Sequence, residues 1–458
     1  MANVLIKPTL SVEDKIALMN EDARFDVADN EAPSGYDAPG VYNVPGGHDA
    51  ADEFEASGGY EASGVRETRG AYGSQGCYKT RVGDGAASRA ADQIRGDIKA
   101  PKAPHTAPKV FMSNDCVFNC SYCGCRRCLD GRTRYSSTPR EFAQLAVRAA
   151  AANGGRVFIT SAIYKSPNYT EELIIETMRI IRKEMGYRGY LHAKIMPACD
   201  PELIRRAGVY ADRLSVNIEV ARSEGYKQIA KEKNKSNILG PMGQISRLIN
   251  DNKHEKSRYK PRFATSQTTQ LMAGSTGEDD FTILNLSRAL YDKYSLNRVY
   301  YTPYQYHYQA EDYADRPEVA TPVWRQTRLY QADRLMQLYG FTPEDIAPTD
   351  APFLVNDFDP KAAWALRNLH LFPIEVNTAD YHMLLRIPGI GVTYAKRIME
   401  ARRQCRVTHD VLIQLGVSLK RSRHFMTADG KFSGIQADGP EPFAGLLRSP
   451  LDNGRGFC

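Results

Sequence analysis

The sequence predicts an α/β protein with a partial (β/α)6 TIM-like barrel as its core, followed by a small all-α domain. From about residue 109, short apolar runs alternate six times with amphipathic helical stretches. Strands that alternate with helices form a parallel sheet, because each helix carries the chain back to the start of the next strand. Residues 31–108 are poor in periodic apolar positions and predict a long disordered N-terminal segment.

Each predicted strand is rich in β-branched or aromatic residues, and each predicted helix places apolar residues three and four positions apart. The predicted strands are 109–113, 156–160, 189–195, 212–218, 262–271 and 297–302. The predicted helices are 139–152, 170–185, 200–208, 223–250 with a break near Gly240-Pro241, 278–292 and 323–339. A short amphipathic helix is also predicted over residues 10–28.

Changes in composition predict five segments along the chain. They are an N-terminal helix (1–30), a disordered insertion and linker (31–108), the barrel core (109–345), a helical domain (346–434) and a tail without clear pattern (435–458). Prolines at 343, 348 and 352 place the boundary after the core, because proline interrupts helices.

Composition limits the classes of function. No apolar run reaches the length of a membrane span, and residues 1–8 lack a secretory signal, so we expect a cytoplasmic protein with no membrane partner. Nine cysteines, five of them within residues 116–128, suit a reducing compartment better than disulfides. Residues 1–60 carry a net charge of −9 and the rest of the chain +15. The positive charge of the larger part favours a polyanionic partner, and the alternative is that it serves only solubility.

Three cysteines, Cys116, Cys120 and Cys123, follow the first predicted strand with the spacing C-x3-C-x2-C. Three thiolates in one loop hold three irons of a cubane cluster, and the fourth iron then has no protein ligand. An open metal position is where a substrate or cosubstrate binds. The alternative is a zinc knuckle that includes Cys125 and Cys128, but the single residue between the two C-x2-C pairs is too short for a usual zinc site.

The motif, with the aromatic Tyr122 before its last cysteine, resembles the radical S-adenosylmethionine (radical SAM) superfamily. The resemblance implies that the three cysteines bind a [4Fe-4S] cluster, that Tyr122 packs beside it and that SAM binds the open iron. It also implies an electron donor such as flavodoxin or ferredoxin, and cleavage of SAM to a 5′-deoxyadenosyl radical that removes a substrate hydrogen atom. The position of the loop agrees, since reactive groups gather at the carboxyl ends of barrel strands.

Polar residues near the ends of later strands are candidate SAM contacts. Ser161 and Ala162 follow the second strand, where the superfamily carries a Gly-Gly-Glu-like segment that binds the SAM amino group. This chain departs from that segment, and an ordinary turn is the alternative. Ser215, Asn217 and Glu219 alternate along the fourth strand and so share one face, which is either a SAM-binding lumen or a polar layer.

The fifth and sixth strands add further candidates. Gln267 and Thr269 alternate on the fifth strand, and we assign them to the cosubstrate as well. The sixth strand ends in an aromatic run from Tyr300 to Tyr308 that includes His307. Aromatic rings at a barrel mouth stack on a base or, alternatively, pack the rim.

A second motif lies within residues 384–399, where Pro-Gly-Ile-Gly joins two helices. Glycines let backbone amides approach a ligand, and the N-terminus of the following helix attracts anions, so the turn predicts a phosphate site. It resembles a helix-hairpin-helix, which binds the DNA backbone without reading sequence. The resemblance assigns DNA contacts to Gly389, Ile390, Gly391, Thr393, Lys396 and Arg397.

The surroundings of this motif are basic. Residues 381–431 contain ten Lys or Arg and three acidic residues, which suits a phosphate backbone. Residues 412–423 have the pattern of a second, degenerate hairpin. The alternative is a purely structural hairpin that packs helices or binds protein.

A barrel with this cysteine motif followed by a helix-hairpin-helix resembles radical SAM proteins assigned to DNA modification or repair, a family linked to a uracil-DNA glycosylase-like partner. The resemblance covers about residues 109–430. It implies an enzyme that acts on a flipped or single-stranded nucleotide in DNA, because a stacked base is hard to reach. The alternatives are a radical SAM enzyme acting on RNA or protein, and a non-enzymatic iron–sulfur protein that binds DNA.

Overall fold

A computed structural model describes residues 107–129, 131–255, 262–305, 319–437 and 439–451. The helix predicted over residues 10–28, nearly all of the predicted disordered segment and His307 lie outside these ranges. The chain divides into two compact units. Among the described residues, the first unit holds 107–371 with 436–451, and the second unit holds Phe372–Ile435.

The first unit is built on a six-stranded parallel sheet whose strands lie in chain order. Its strands are β1 (Lys109–Phe111), β2 (Arg156–Thr160), β3 (Tyr190–Lys194), β4 (Arg213–Ser215), β5 (Ser266–Ala273) and β6 (Arg298–Pro303). Every neighbouring pair is parallel, so all six strands end at the same edge of the sheet. The predicted partial (β/α)6 barrel is confirmed.

Helices join the strands and continue beyond β6. They are α1 (Pro139–Ala152), α2 (Pro167–Arg179), α3 (Pro201–Gly208), α4 (Gly225–Ile229), α5 (Lys235–His254), α6 (Asp280–Tyr294), α7 (Val323–Tyr339), α8 (Pro343–Ile346) and α9 (Pro360–Arg367). Helix α1 starts at a capping box, in which Thr138 and Glu141 each bond the other's backbone amide. No helix in the described ranges is long and apolar enough to cross a bilayer.

The predicted helix break near Gly240-Pro241 is wrong, because α5 runs through both residues. Pro241 has no N–H and leaves the carbonyl of Asn237 without its helical donor. The backbone N–H of Ala198 bonds that carbonyl instead, at 3.1 Å. The chain breaks earlier, between α4 and Asn234, whose side chain caps α5.

Alternation along the strands separates two faces of the sheet. Ile159, Ala193 and Leu214 are fully buried on the face that meets the helices. The residues that alternate with them along each strand point to the other face, which we call the lumen face. At the edge where the strands end, the lumen face carries the site described below.

The second unit combines short helices with a small sheet. Its elements are β7 (Ile374–Glu375), α10 (Tyr381–Arg386), α11 (Val392–Ala401), α12 (His409–Gln414), α13 (Leu419–Ser422), β8 (Met426–Ala428) and β9 (Lys431–Phe432). Strand β8 lies between the other two strands. The prediction of an all-α domain therefore missed a sheet, because strands of two or three residues are too short to show a period in sequence.

The structure places the division between the units after Leu371, whereas the sequence placed it after residue 345. Arg367 of α9 donates to the backbone carbonyls of Asp345 and Ile346, which ties α8 and α9 together in the first unit. The predicted patternless tail contains a further helix, α14 (Glu441–Leu447). The buried Arg328 of α7 donates to the carbonyl of Ser449, which fixes the segment after α14 to the first unit.

Candidate functional site

The loop after β1 brings the three predicted cysteines to one cavity. Cys116, Cys120 and Cys123 all line this cavity of about 190 Å³, together with residues from the ends of β1, β5 and β6 and from the segments after β2 and β4. Of the two other cysteines in the loop, Cys125 also lines the cavity. Cys128 is exposed and is not part of the wall.

Hydrogen bonds between backbones hold the cysteine loop against the barrel. The amide of Val117 donates to the carbonyl of Ile163 after β2, and the amide of Ser121 donates to Ile229 of α4, both at 2.9 Å. These contacts fix the loop on both sides of Cys120. The barrel therefore positions the loop, and turn bonds such as Cys123 N–H to the Cys120 carbonyl shape it from within.

Arg134 binds the loop from its other end. Its guanidinium donates to the carbonyl oxygens of Asn114 (2.6 Å), Cys125 (2.9 Å) and Arg126 (2.6 Å). The fixed planar fork of arginine suits several acceptors at once. Sequence patterns did not single out Arg134, because its acceptors are backbone atoms.

The thiols suit a cluster better than a single ion. Within the described ranges, no group of three or more His, Cys, Asp or Glu side chains converges to hold one metal ion. A cubane cluster binds its thiolates on different irons, so its ligands need not converge on one point. The backbone N–H of Cys125 also donates to the Sγ of Cys123 at 3.4 Å, and such bonds stabilise a ligating thiolate.

Burial shapes the acidity of these thiols. It raises the pKa of Cys116 to about 11 and that of Cys120 to about 12. The positive charge of Lys233 acts in the opposite direction on both thiols. Thiolates here are costly without a bound cation, and metal binding offsets that cost by releasing the protons.

A buried ion pair lies beside the cysteines. The Nζ of Lys233 donates to Glu219 Oε1 at 2.8 Å and to the Tyr122 hydroxyl at 2.9 Å. Burial alone would lower the pKa of Lys233, but Glu219, Cys120 and Cys123 together outweigh it and the pKa is raised. Burial raises the pKa of Tyr122 well above its ordinary value. The cavity wall therefore holds a charged ammonium and a neutral phenol.

Glu219 adopts a left-handed backbone conformation, with φ of +65°. This conformation costs a non-glycine residue roughly 1–2 kcal/mol. It is held by backbone bonds from Glu219 N–H to Gln270 and from Met272 N–H to Glu219, both at 2.9 Å. Such strain concentrates at functional sites, and here it turns the carboxylate toward Lys233.

Lys233 was missed by sequence reasoning. It lies in the run Lys-Glu-Lys-Asn between α4 and α5, which has the composition of a surface loop. Its partner Tyr122 is 111 positions away in the chain. No local pattern carries a signal for such a pair.

Most of the predicted cosubstrate residues reach the cavity. Tyr122, Ser161, Ala162, Asn217 and Glu219 all line it. The amide of Asn217 donates to the side-chain oxygen of Gln270 at 3.0 Å, which fixes the orientation of Asn217. Ser215 points to the same face but lies below the wall, 3% exposed.

The assignment of Gln267 and Thr269 to the cavity is wrong. Gln267 donates to the carbonyls of Met242 in α5 and Tyr294 in α6, so it faces the helices. Thr269 bonds the backbone of Val216. Their neighbour Gln270 lines the cavity and donates to the Thr302 hydroxyl at 3.1 Å. The run Gln-Thr-Thr-Gln is polar on both faces, so alternation could not show which face is the lumen.

In the second unit, the predicted hairpin joins α10 to α11. Its apolar positions form a core, and the fully buried side chains are Leu384, Leu385, Ile387, Ile390, Ala395 and Ile398. Gly389 has φ of +90°, which favours glycine. A Cβ at this position would lie 3.4 Å from the amide nitrogen of Ser422 in α13. Glycine therefore allows the two hairpins to approach closely.

The predicted second hairpin joins α12 to α13 through Leu415-Gly416-Val417. Gly416 has φ of +80°, as the turn requires. The Nη1 of Arg397 donates to the Leu415 carbonyl at 2.9 Å. Arg397, predicted as a phosphate contact, thus also links the two hairpins.

The other predicted DNA contacts differ in exposure. Thr393, Lys396 and Arg397 have exposed side chains. Gly389 is half-buried, whereas Ile390 and Gly391 are buried. The Ile390 N–H donates to the Ile387 carbonyl at 3.0 Å, so the three exposed side chains form the accessible part of the motif.

Comparisons with known proteins add little to this geometry. No protein-family model matches the chain, and no curated protein matches it. The solved structures that match include the FeFe-hydrogenase maturase HydG from Carboxydothermus hydrogenoformans, at 17% identity over 42% of this chain and 43% of HydG, with a TM-score of 0.33.

They also include the radical S-adenosylmethionine methyltransferase TsrM from Kitasatospora setae with cobalamin and a [4Fe-4S] cluster, at 13% identity, 43% and 36% coverage and a TM-score of 0.30. TsrM with tryptophan and a SAM analogue matches with a TM-score of 0.31. The matched region spans less than half of each of these chains. Function is therefore inferred from the site itself.

Proposed function

We propose that the protein is a radical SAM enzyme that holds a [4Fe-4S] cluster on Cys116, Cys120 and Cys123 and binds SAM in the adjoining cavity. One observation carries the proposal: three thiols spaced C-x3-C-x2-C line a single cavity at the carboxyl edge of a parallel partial barrel. That edge is where barrels of this kind place their reactive groups. The cluster and SAM together would supply a one-electron route to a carbon radical.

The residues around the thiols have separate roles in this proposal. Lys233 stays charged and places a cation beside the thiolates, which offsets part of their negative charge. Tyr122 stays neutral and orients Lys233. Asn217 offers its side-chain amide to the cosubstrate. The apolar side chains of Phe111, Phe118, Met196 and Met272 line the cavity and exclude water, which protects a reactive radical.

We further infer that the substrate is DNA, bound through the second unit. Two glycine-containing hairpins lie next to each other there, and Thr393, Lys396 and Arg397 are exposed on the first of them. Backbone amides at a helix start together with lysine and arginine recognise phosphate. An electron donor such as flavodoxin or ferredoxin is expected to reduce the cluster, and a uracil-DNA glycosylase-like partner stays a prediction.

Anaerobic reconstitution with iron and sulfide tests the first part of the proposal. The expected result is a four-iron cluster that, once reduced, converts SAM to 5′-deoxyadenosine. A protein that carries the cluster but neither binds nor cleaves SAM would be the non-enzymatic alternative. A panel of damaged and undamaged oligonucleotides then tests the second part, since the true substrate should increase SAM cleavage.

RNA and protein substrates are the competing candidates. Matched RNA oligonucleotides and a no-polymer control separate them from DNA in the same assay. Equal stimulation by RNA and DNA of one sequence would remove the preference for DNA. The second unit would then act as a general polyanion-binding domain.

A further inference from the structure

Lys194 lines the cluster cavity without a partner. It ends β3 and is half-buried on the lumen face. Among the residues that the structure describes, none forms a hydrogen bond or ion pair with its ammonium. The other lysine of the wall, Lys233, is bound by Glu219 and Tyr122. Within the described part of the chain, Lys194 is thus the cation of this wall without a protein partner.

Three buried hydroxyls share a row of the sheet with Lys194. Strand pairing places Lys194 beside Ser215 and Ser215 beside Thr268. Thr160 continues the row on β2, one position past the pair of Ile159 and Ala193. These three hydroxyl residues are 0–3% exposed, and their oxygen atoms have no hydrogen-bond partner in the described ranges.

A fourth hydroxyl lies on the cavity wall itself. Ser161 lines the cavity and is 6% exposed, and its oxygen also has no partner. Buried polar groups in folded proteins nearly always have a partner, and a missing one costs roughly 1–3 kcal/mol. Of these four hydroxyl residues, Ser161 is the one that lines the cavity, so Lys194 and Ser161 are the groups that a polar ligand would meet there.

The donor set selects the chemistry of that ligand. An ammonium only donates hydrogen bonds, and a hydroxyl can donate one while accepting another. The carboxylate on this wall, Glu219, accepts a hydrogen bond from Lys233 through its Oε1. A group with several anionic oxygens, a phosphate or a carboxylate, satisfies these donors best, because hydrogen bonds between charged groups are the strong ones.

We propose that Lys194 binds an anionic oxygen group of the substrate, in a cavity wall that it shares with Ser161. This deepens the proposed function and rests on it for the assignment of the anion to a substrate. In a nucleotide substrate, the anion is the phosphate next to the reacting sugar. Lys194 then fixes which substrate atom faces the cluster.

Relaxation of a small anion beside the reduced cluster tests this proposal. The cluster is reconstituted and reduced, a SAM analogue that cannot be cleaved is added, and inorganic phosphate or acetate is titrated in with ionic strength held constant. A reduced, paramagnetic cluster shortens the relaxation time of nearby nuclei, so ³¹P and ¹³C relaxation report both binding and proximity. We expect Lys194→Met to weaken binding of the preferred anion by roughly tenfold or more.

Matched variants separate charge from folding. Lys194→Arg keeps the cation and should retain most of the relaxation effect, and Ser161→Ala should cause a smaller loss. Lys253→Met removes an exposed lysine at the end of α5 and should behave as the wild type. The cluster spectrum of each variant shows that the fold and the loop are intact.

Three outcomes would overturn the inference. In the first, the Lys194→Met protein shortens the relaxation times of both anions as much as the wild type does. In the second, neither anion is relaxed by the wild-type protein. In the third, Lys194→Met weakens the binding of SAM tenfold and the anions compete with SAM. That result would assign Lys194 to the cosubstrate. If the wild type forms no cluster and cleaves no SAM, the proposed function fails instead.

Discussion

The cavity of the first unit and the hairpins of the second unit use charge in opposite ways. In the cavity, Lys233 and Glu219 are buried, and each side chain is held by a short bond to the other. On the first hairpin, Thr393, Lys396 and Arg397 face solvent. The effect of a buried ion pair depends on its fixed geometry. The effect of exposed cations on a polyanion depends on their total charge.

This difference predicts how each region responds to substitution. Removing one member of a buried network leaves its partner without compensation, so the loss is large. Removing one exposed lysine removes only that residue's contribution to the attraction between the hairpin and a polyanion. Five sets of substitutions, from the largest expected effect to the smallest, sharpen or break this comparison.

Cys120→Ala should have the largest effect, because it removes one of three cluster ligands. We expect loss of the four-iron spectrum and of 5′-deoxyadenosine formation to background. Cys128→Ala is the control from the same loop, since Cys128 is exposed and does not line the cavity. A Cys120→Ala protein that still forms the cluster and cleaves SAM would refute the ligand assignment.

Glu219→Gln should destabilise the first unit by about 3–5 kcal/mol, because Lys233 is then a buried charge without its counterion. Lys233→Met should cost a similar amount. The double variant should lose less than the sum of the two, since it leaves neither charge unpaired. Denaturant unfolding of the four proteins measures this coupling. Strictly additive losses would mean that the pair does not interact as the structure shows.

The pH dependence of stability should differ between two carboxyl groups. Burial raises the pKa of Glu171 in α2 to about 8, against an ordinary 4.5. The folded state then binds more protons between those values, so the free energy of unfolding falls as pH rises from about 4.5 to 8. Glu171→Gln should remove that fall. Unfolding curves that keep the same decline in the variant would contradict the assignment.

The carboxyl group of Glu375 in β7 should affect the free energy of unfolding at acidic pH. Burial would raise its pKa, but hydrogen bonds from Asn377 and from the Gly430 amide lower it to about 2. Its contribution is present above about pH 4.5 and is lost as pH falls toward 2. Glu375→Gln should therefore differ most from wild type near neutral pH and least near pH 2. A constant difference across this range would exclude the lowered pKa.

Lys396→Gln should have the smallest effect, on DNA binding alone. Removing one phosphate contact should lower the slope of log affinity against log salt by about 0.9 for duplex DNA. Lys396→Arg keeps the charge and should retain the slope. Binding of the wild type that is insensitive to salt would contradict a phosphate-binding hairpin.

The regular parts of the fold could be predicted from sequence. Strand β2 and helices α1 and α7 have the predicted bounds. A capping box and a periodic apolar face define α1, and the left-handed Gly340 ends α7. Pro241 misled the prediction, since its missing bond is replaced by Ala198, which is distant in sequence. Strands β7–β9 were missed because they are only two or three residues long.

Only those parts of the site whose residues lie close together in the chain could be predicted from sequence. The cysteines and the glycine hairpin are contiguous motifs, and the structure places their residues together. Gln267 and Thr269 were assigned to the wrong face, because both faces of β5 are polar there. Lys194 and Lys233 carry no motif, and their importance follows only from what they meet, or do not meet, in the fold.

The central claim is that three cysteines leave one iron open to SAM. Mössbauer spectroscopy of the anaerobically reconstituted, ⁵⁷Fe-labelled protein tests it most directly, with and without SAM. We predict a four-iron cluster in which one iron site changes its spectrum when SAM is added. Bound zinc, or a four-iron cluster whose spectrum SAM leaves unchanged, would contradict the claim.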